Sequence, residues 1–278
     1  MIVGIVGLGL IGGSLAKAYK RTEGIRVLGY NRTKSVTDFA VISGAVDEEL
    51  TDENIGSCDV LLLSLYADAS IEYLKKKAPL ISKDTLVMDC CGTKRRICEA
   101  GFREAEKYGF TFVGGHPMAG TQFSGFKHSK ANMFDGASFV MVPPVFDDIT
   151  LFDRVKAAVK PAGFGRVSVT DAASHDEIIA FTSQMAHVVS NAYVKSPTAQ
   201  KHKGFSAGSY KDLTRVAWLD ADMWTELFLD NADNLSKEIG TFIAAMQEYK
   251  DAIDSGDAAR LRELLQKGKE LKEKVDGK

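Results

Sequence analysis

The stretch "GIVGLGLIGGS", Gly4 to Ser14, decides the fold. Within it Gly7, Leu8, Gly9, Leu10, Ile11 and Gly12 spell G-x-G-x-x-G, directly after the strand-like run "IVGIV" and directly before the helical pattern "IGGSLAKAYKR". At the first strand-to-helix turn of a doubly wound sheet, three glycines at this spacing permit a tight turn, close approach of a pyrophosphate, and packing of the helix on the strand. An ordinary glycine-rich turn would not require all three.

Working outward, short apolar runs alternate with amphipathic stretches as far as Val169. "RVLGY", "DVLLLSL", "TLVMD", "FTFVG", "SFVMV" and "GRVSV" have the length and β-branched content of strands. "KSVTDFAVISG", "ASIEYLKKKAPLI", "KRRICEAGFREAEKYG" and "LFDRVKAAVKP" carry apolar residues near helical spacing between them. The order predicts an α/β, doubly wound, mainly parallel Rossmann-type sheet over residues 1–170. From Asp171 the strand-like runs give way to "ASHDEIIAFTSQMAHVVSNAYV", "MWTELFLDNADNLSKEIGTFIAAMQEYKDAI" and "DAARLRELLQKGKELKEKV". These predict an all-helical domain over 171–278, with "KSPTAQKHKGFSAGSYKDLT" as a polar loop between helices.

Composition bounds the partners. A net charge of -2 over 278 residues, with 45% hydrophobic and 26% charged residues, is that of an ordinary soluble domain pair and gives no electrostatic footprint for nucleic acid. The apolar start lacks a basic signal-peptide region and is broken by glycines, so neither secretion nor a membrane span is expected and the cytoplasm is the expected compartment. Cys58, Cys90, Cys91 and Cys98 show no C-x-x-C or metal-ligand spacing, so no metal is expected; they read as reduced thiols, with redox chemistry at the adjacent pair as the lesser alternative.

The second strand runs into Asn31, Arg32 and Thr33, where an NAD enzyme ordinarily carries an acidic residue for the ribose 2'-hydroxyl. A guanidinium beside a hydroxyl suits a 2'-phosphate, so NADP is favoured over NAD, although Asn31 could still bond the ribose and Arg32 could stack on adenine. "DCCGTKR" ends another strand and turns into a helix, which sets Gly92 and Thr93 on the crevice floor.

"GGHPMAGTQFSG", Gly114 to Gly125, is too small and polar for a core strand and too breakable for a helix, so it predicts a loop at the carboxyl edge of the sheet. His116 in it suits general-base work near neutral pH, taking a proton from a hydroxyl as hydride leaves the same carbon; a structural histidine bonded to backbone is the alternative. In "SQMAH", Ser183 and His187 share a helical face, with His175 three turns earlier and roughly on the same side. His187 alone reads equally as a core histidine. Arg215 in "KDLTRVAW" offers a bidentate clamp for a carboxylate, or a surface ion pair.

Taken together, "GLGLIGGS", "DCCGTK", "HPMAGTQFSG", "SQMAH", "GSYKDLTRVA" and "MWTELFLDN", in this order over nearly the whole chain, resemble the prephenate dehydrogenase family of tyrosine biosynthesis, which includes arogenate dehydrogenases. The resemblance implies an NAD(P)-dependent oxidative decarboxylation of prephenate to 4-hydroxyphenylpyruvate, and a helical domain through which two subunits form a homodimer. It implies that His116 bonds the ring hydroxyl and helps its proton leave, that Thr121 contacts substrate, that His187 faces substrate, and that Arg215 holds a substrate carboxylate. Gly208 and Trp224 match positions near the substrate. The chain departs from the family where serine is common at Gly92, so that Thr93 or a water would have to supply the hydroxyl. Gln184 and Ala186 stand in place of the histidine and proline of S-H-L-P-H, and Gln122 replaces an acidic residue of some relatives. Within the family, arogenate is the alternative substrate. A β-hydroxyacid dehydrogenase would carry a catalytic lysine on the first long helix of the second domain, where this chain has only Lys195 at the far end. A dinucleotide-binding sensor without turnover is the alternative outside enzymes.

Overall fold

The computed structural model describes residues 1–277. Its strands are β1 (Ile2–Val6), β2 (Arg26–Tyr30), β3 (Glu48–Glu49), β4 (Val60–Leu63), β5 (Leu86–Asp89), β6 (Thr111–Pro117), β7 (Ser138–Val142) and β8 (Arg166–Val169). They join into one sheet in the order β3-β2-β1-β4-β5-β6-β7-β8. Neighbours run parallel except β6 and β7. Helices α1 (Leu10–Tyr19), α2 (Lys34–Ile42), α3 (Ala67–Lys77), α4 (Arg95–Tyr108) and α5 (Ile149–Val159) supply the crossovers.

The central strands β1 and β4, and β5 up to its final Asp89, are apolar because both faces of the sheet are covered there. Val3, Ile5, Leu62 and Met88 enter one core cluster, while Val6, Leu61, Leu63 and Val87 enter the other, following the two-residue alternation of a strand. The register Val6↔Leu63↔Asp89 levels the strand ends. Gly7, Ser64 and Cys90 therefore leave the sheet along one edge. The order reverses at β1, which has β2 on one side and β4 on the other; the crevice for a ligand opens at such a switch point.

The histidine-bearing stretch departs from its expected form. Gly114–Pro117 is strand, continuing β6 past the end of β5 as an antiparallel ladder with β7, with His116 opposite Val140. Backbone pairing supplies what the small side chains do not, and Pro117 is tolerated because it ends the strand. The two-residue β3, paired at Leu28↔Glu48, is too short to leave a periodic signal in the sequence.

Beyond β8 come α6 (Ala172–Ile179), a π turn over Ala180–Met185, α7 (Ala186–Tyr193), α8 (Gly208–Thr214), a 3₁₀ turn Arg215–Ala217, α9 (Ala221–Asp230), α10 (Ala232–Asp254) and α11 (Ala258–Asp276). The expected loop 195–214 thus ends in a short helix. The expected single helix over 223–253 is broken at Asn231, whose fully buried side chain donates to the Asp176 carbonyl at 2.8 Å and to Gln184 Oε1 at 2.9 Å. Two well-placed acceptors outweigh continuation of the helix at a residue of modest helical propensity.

Packing divides the chain into two compact units, Met1–Asn231 and Ala232–Lys278. The second is a helical hairpin of α10 and α11, turned at Gly256 and tied by the Tyr249 hydroxyl donating to the Leu264 carbonyl at 3.3 Å. Phe242, Ile243, Met246, Ile253 and Leu265 on it are exposed. Among the described residues no helix is long and apolar enough to cross a membrane, and no group of three or more acidic, cysteine or histidine side chains is arranged to hold a metal.

Candidate active site

The glycine turn is shaped for a dinucleotide. Gly7 has φ +92°, and an added Cβ there would stand 2.5 Å from the Ser64 carbonyl oxygen, while one at Gly12 would run into the Gly7 carbonyl. Around Gly9, by contrast, nothing lies within 4 Å of an added Cβ, and no side chain caps α1. The first-turn N–H groups are thus open toward a pyrophosphate, as the fold requires. Asn31 Oδ1 accepts the Leu8 N–H at 3.1 Å, and its Nδ2 donates to the Thr33 carbonyl at 3.3 Å. Asn31 thereby couples the end of β2 to the glycine turn, and Arg32 after it is exposed.

Along the same edge, the turn after β5 builds a buried ionic clamp. Lys94 and Asp89 pair with no solvent exposure, and Lys94 Nζ also donates to the Gly115 carbonyl at 2.6 Å. Asp89 Oδ1 accepts the Gly115 N–H at 3.0 Å, and Oδ2 accepts the Cys91 N–H at 2.8 Å. Both polar groups of Gly115 are held, and the next residue is His116.

His116 is half-buried, and its Nδ1 lies 2.9 Å from His175 Nε2. His175, in the first turn of α6, sets its Nδ1 2.8 Å from Asp176 Oδ1. The Asp176 carboxylate also accepts the Lys94 N–H at 2.7 Å and the Arg95 N–H at 3.0 Å. Burial opposes its charge, but the His175 hydrogen bond and these two N–H groups outweigh burial and hold its carboxyl below the ordinary value. An ionised Asp176 requires Nδ1–H on His175. The lone pair of His175 Nε2 then requires Nδ1–H on His116, and the nitrogen left on His116 to accept a proton is Nε2. Burial first, then the charges of His175 and Lys94, push the His116 imidazole well below its usual 6.5. At neutral pH it is an unprotonated base.

A second cluster gathers three of the residues expected at the substrate. His187 stacks on Trp224 with ring centroids 3.8 Å apart, and the Arg215 charge is close enough to help burial lower the His187 pKa. Gln184, one of the departures from the family pattern, holds α9 in place: its Nε2 donates to the Leu227 carbonyl at 2.9 Å. Thr121 lies in the exposed segment after β6, its Oγ1 accepting the Phe123 N–H at 3.3 Å, and Gly208 opens α8. Among the described residues, neither has a hydrogen bond to either cluster.

Gly92 lies under α9, where an added Cβ would be 3.0 Å from Leu227 Cδ2. Thr93 does not replace the absent hydroxyl, because it is buried and its Oγ1 donates to Asp230. The cysteines are free, and burial pushes the Cys90 and Cys98 thiols up to about 12, which disfavours the reactive thiolate. His175, Asp176, Asp89 and Lys94 did not stand out as site residues in the sequence. "SHDE" shows a histidine beside an acid at a helix start, but nothing there names a partner 59 residues away.

Comparisons with known proteins identify the family of both regions of the chain. The family model for the nucleotide-binding domain of prephenate dehydrogenase matches residues 15–168, and that for its dimerization domain matches residues 171–267. A prephenate dehydrogenase of Lactococcus lactis is 28% identical over 98% of this chain and 77% of its own length. The crystal structure of Aquifex aeolicus prephenate dehydrogenase with hydroxyphenyl propionate and NAD+ superposes with a TM-score of 0.84 at 28% identity, covering 99% of this chain and 98% of that one. Synechocystis arogenate dehydrogenase gives 0.80 at 25% identity over 99% and 100%. With both of its domains matched in order across nearly its full length, the chain belongs to the prephenate dehydrogenase family, a family of nicotinamide-dinucleotide-dependent dehydrogenases.

Proposed function

We propose that the protein oxidatively decarboxylates prephenate to 4-hydroxyphenylpyruvate with NADP as the preferred cofactor. The observation that carries this reading is the His116–His175–Asp176 relay, which sits at the sheet edge that also carries the glycine turn. The residues Gly7 to Gly12 would hold the pyrophosphate, Gly92 would line the floor, and Asn31, Arg32 and Thr33 would meet the adenosine ribose. When bound, the nicotinamide supplies the acceptor for hydride.

His116 Nε2 takes the proton of the ring hydroxyl as hydride leaves the carbon that bears it. The developing imidazolium is stabilised through His175 to the Asp176 carboxylate, as a carboxylate stabilises the histidine of a hydrolytic triad. Loss of CO2 from the opposite ring carbon leaves its bonding electrons in the ring, which becomes aromatic, and His116 returns its proton to the phenolic oxygen. Arg215 holds a substrate carboxylate, with His187 facing the substrate and Thr121, Gly208 and Trp224 completing the substrate surround. Most of the driving force lies in aromatisation, so the protein's part is orientation and a base of the right protonation state.

The same reading assigns residues 1–170 to dinucleotide binding and 171–278 to substrate binding and dimerisation, supported by the two matched family domains. The exposed apolar side chains of the α10–α11 hairpin support a homodimer in the cytoplasm, where thiols stay reduced. The test follows NADPH or NADH formation with prephenate and with arogenate as substrates. Faster turnover of prephenate with NADP is expected; preference for NAD corrects the cofactor, preference for arogenate corrects the substrate, and no turnover of any pair overturns the reading. Replacing Arg32 by Gln should weaken NADP about tenfold or more while leaving NAD within about twofold, as loss of one charge-assisted phosphate contact would.

A further inference from the structure

The first turn of α6 and the start of α7 carry His175 and His187, twelve positions apart. At 3.6 residues per turn that separation is about 3.3 turns, so an unbroken α-helix would rotate the two side chains about a third of a turn apart. The helix is not unbroken. Ala180–Met185 forms a π turn, and a π turn takes up one extra residue. Buried positions on this helix step from His175 to Ile179 by four and from Ile179 to Gln184 by five, and half-buried His187 follows three later. The insertion of one residue brings the separation back to about three whole turns.

The π turn also leaves a carbonyl within reach of the ring. Ser183 O accepts the Ala186 N–H and lies 2.9 Å from His187 Nδ1. A carbonyl oxygen only accepts, so Nδ1 must carry the hydrogen. His187 Nε2 has no hydrogen-bond partner among the described residues. The Trp224 ring against His187 further restricts rotation of the imidazole.

We propose that the π turn Ala180–Met185 is a positioning device for the substrate site: it returns His187 to the face that carries His175 and, through the Ser183 carbonyl, fixes His187 as the Nδ1–H tautomer with Nε2 open to a substrate hydrogen-bond donor. This rests on the proposed function only for the identity of what Nε2 meets; the tautomer itself is a property of the free protein. A neutral Nε2 accepts a hydroxyl or ammonium hydrogen, whereas a carboxylate must bring a proton with it or rely on Arg215.

The test is ¹⁵N spectroscopy of histidine-labelled full-length protein without substrate, recorded well above the ordinary imidazole value of 6.5, with His187 assigned by its loss in His187→Gln. Nitrogen shifts of a protonated Nδ1 and an unprotonated Nε2 are expected; the opposite tautomer, or an even mixture, overturns the proposal. Inserting one alanine after Thr182, an exposed residue of the π turn, should turn His187 about 100° away from the His175 face and raise KM for prephenate about tenfold while dinucleotide binding is kept. A folded insertion variant with the wild-type KM also overturns it. Should that variant not fold, the wild-type spectrum alone decides.

Discussion

His116 and His175 meet ring nitrogen to ring nitrogen at 2.9 Å, although 59 residues separate them in the chain. One comes from a strand that outruns its neighbour β5, the other from the helix that follows the last strand. Asp176 joins them to the start of α4, so strand edge, crevice floor and helical region share one hydrogen-bonded set. Its members should respond to substitution in a graded way. His116→Asn should lower kcat by about 10² to 10⁴ with KM within a few-fold, since it removes the proton acceptor. Asp176→Asn should lower kcat less, and should cost about 1–3 kcal/mol of stability because it weakens the acceptor of the buried Lys94 N–H and the part-buried Arg95 N–H. Steady-state kinetics and thermal unfolding on the same preparations check both. A His116→Asn variant with normal kcat would remove the base from the scheme.

The carboxyl edge of the sheet was legible in the sequence, because a parallel strand buried on both faces must be apolar and the turn that follows must admit a phosphate; "IVGIV" and "GLGLIG" state both conditions locally. Relay and clamp were not. His175, Asp89 and Lys94 are polar residues whose meaning depends on tertiary partners, and a fully buried lysine looks in sequence like any surface lysine. Likewise Asn231 reads as one position in a long helix, since its stopping power comes from acceptors on Asp176 and Gln184 rather than from its neighbours.

The acid limb of kcat/KM should lie below pH 6.5. Burial and the nearby charges of His175 and Lys94 depress the His116 imidazole from 6.5, so the active, unprotonated form persists as pH falls through that value. The relevant pH profile uses a substrate whose own ionisation is complete over the range. A limb centred above 6.5 would contradict the assignment of His116 as the neutral base.

Stability should follow the same groups. His116 and His175 both have folded values below 6.5, so between those values and 6.5 the unfolded chain binds more protons than the native one. Their contribution is fully present above 6.5 and is lost as pH falls through the folded values, at up to about 1.4 kcal/mol per pH unit for each histidine. Melting temperature should therefore drop on acidification from pH 6.5, and less steeply in His175→Gln. An equal slope in that variant would assign the acid sensitivity to other groups.

Arg215→Gln should raise KM for a dianionic substrate by about tenfold to a hundredfold with kcat less affected, the loss expected for one charge-assisted hydrogen-bonded contact. It should also let the His187 imidazole titrate higher, since the Arg215 charge adds to burial in holding it down. Histidine NMR of wild type and variant measures that shift directly. A change in KM without a change in His187 titration would separate the arginine from the His187–Trp224 stack.

Gly92→Ser reinstates the hydroxyl common in relatives, but its Cβ would stand 3.0 Å from Leu227 Cδ2 in a region where α9 is lashed down by Gln184 and by the Arg96–Asp230 ion pair at 2.7 Å. The half-buried Leu227 side chain must give by a few tenths of an ångström to admit the new Cβ, so the single substitution should destabilise by about 1 kcal/mol through overpacking. Leu227→Ala alone should cost about 1–2 kcal/mol, less than a fully buried leucine because Leu227 is half-buried. Combined, the two should cost less than their sum, because the serine occupies space that the shortened side chain vacates, giving a coupling of about 0.5–1.5 kcal/mol. Denaturant unfolding of the four proteins measures that coupling. Strict additivity would mean that α9 shifts to accept the serine, and that the packing of Leu227 on Gly92 does not constrain which residue the crevice floor can carry.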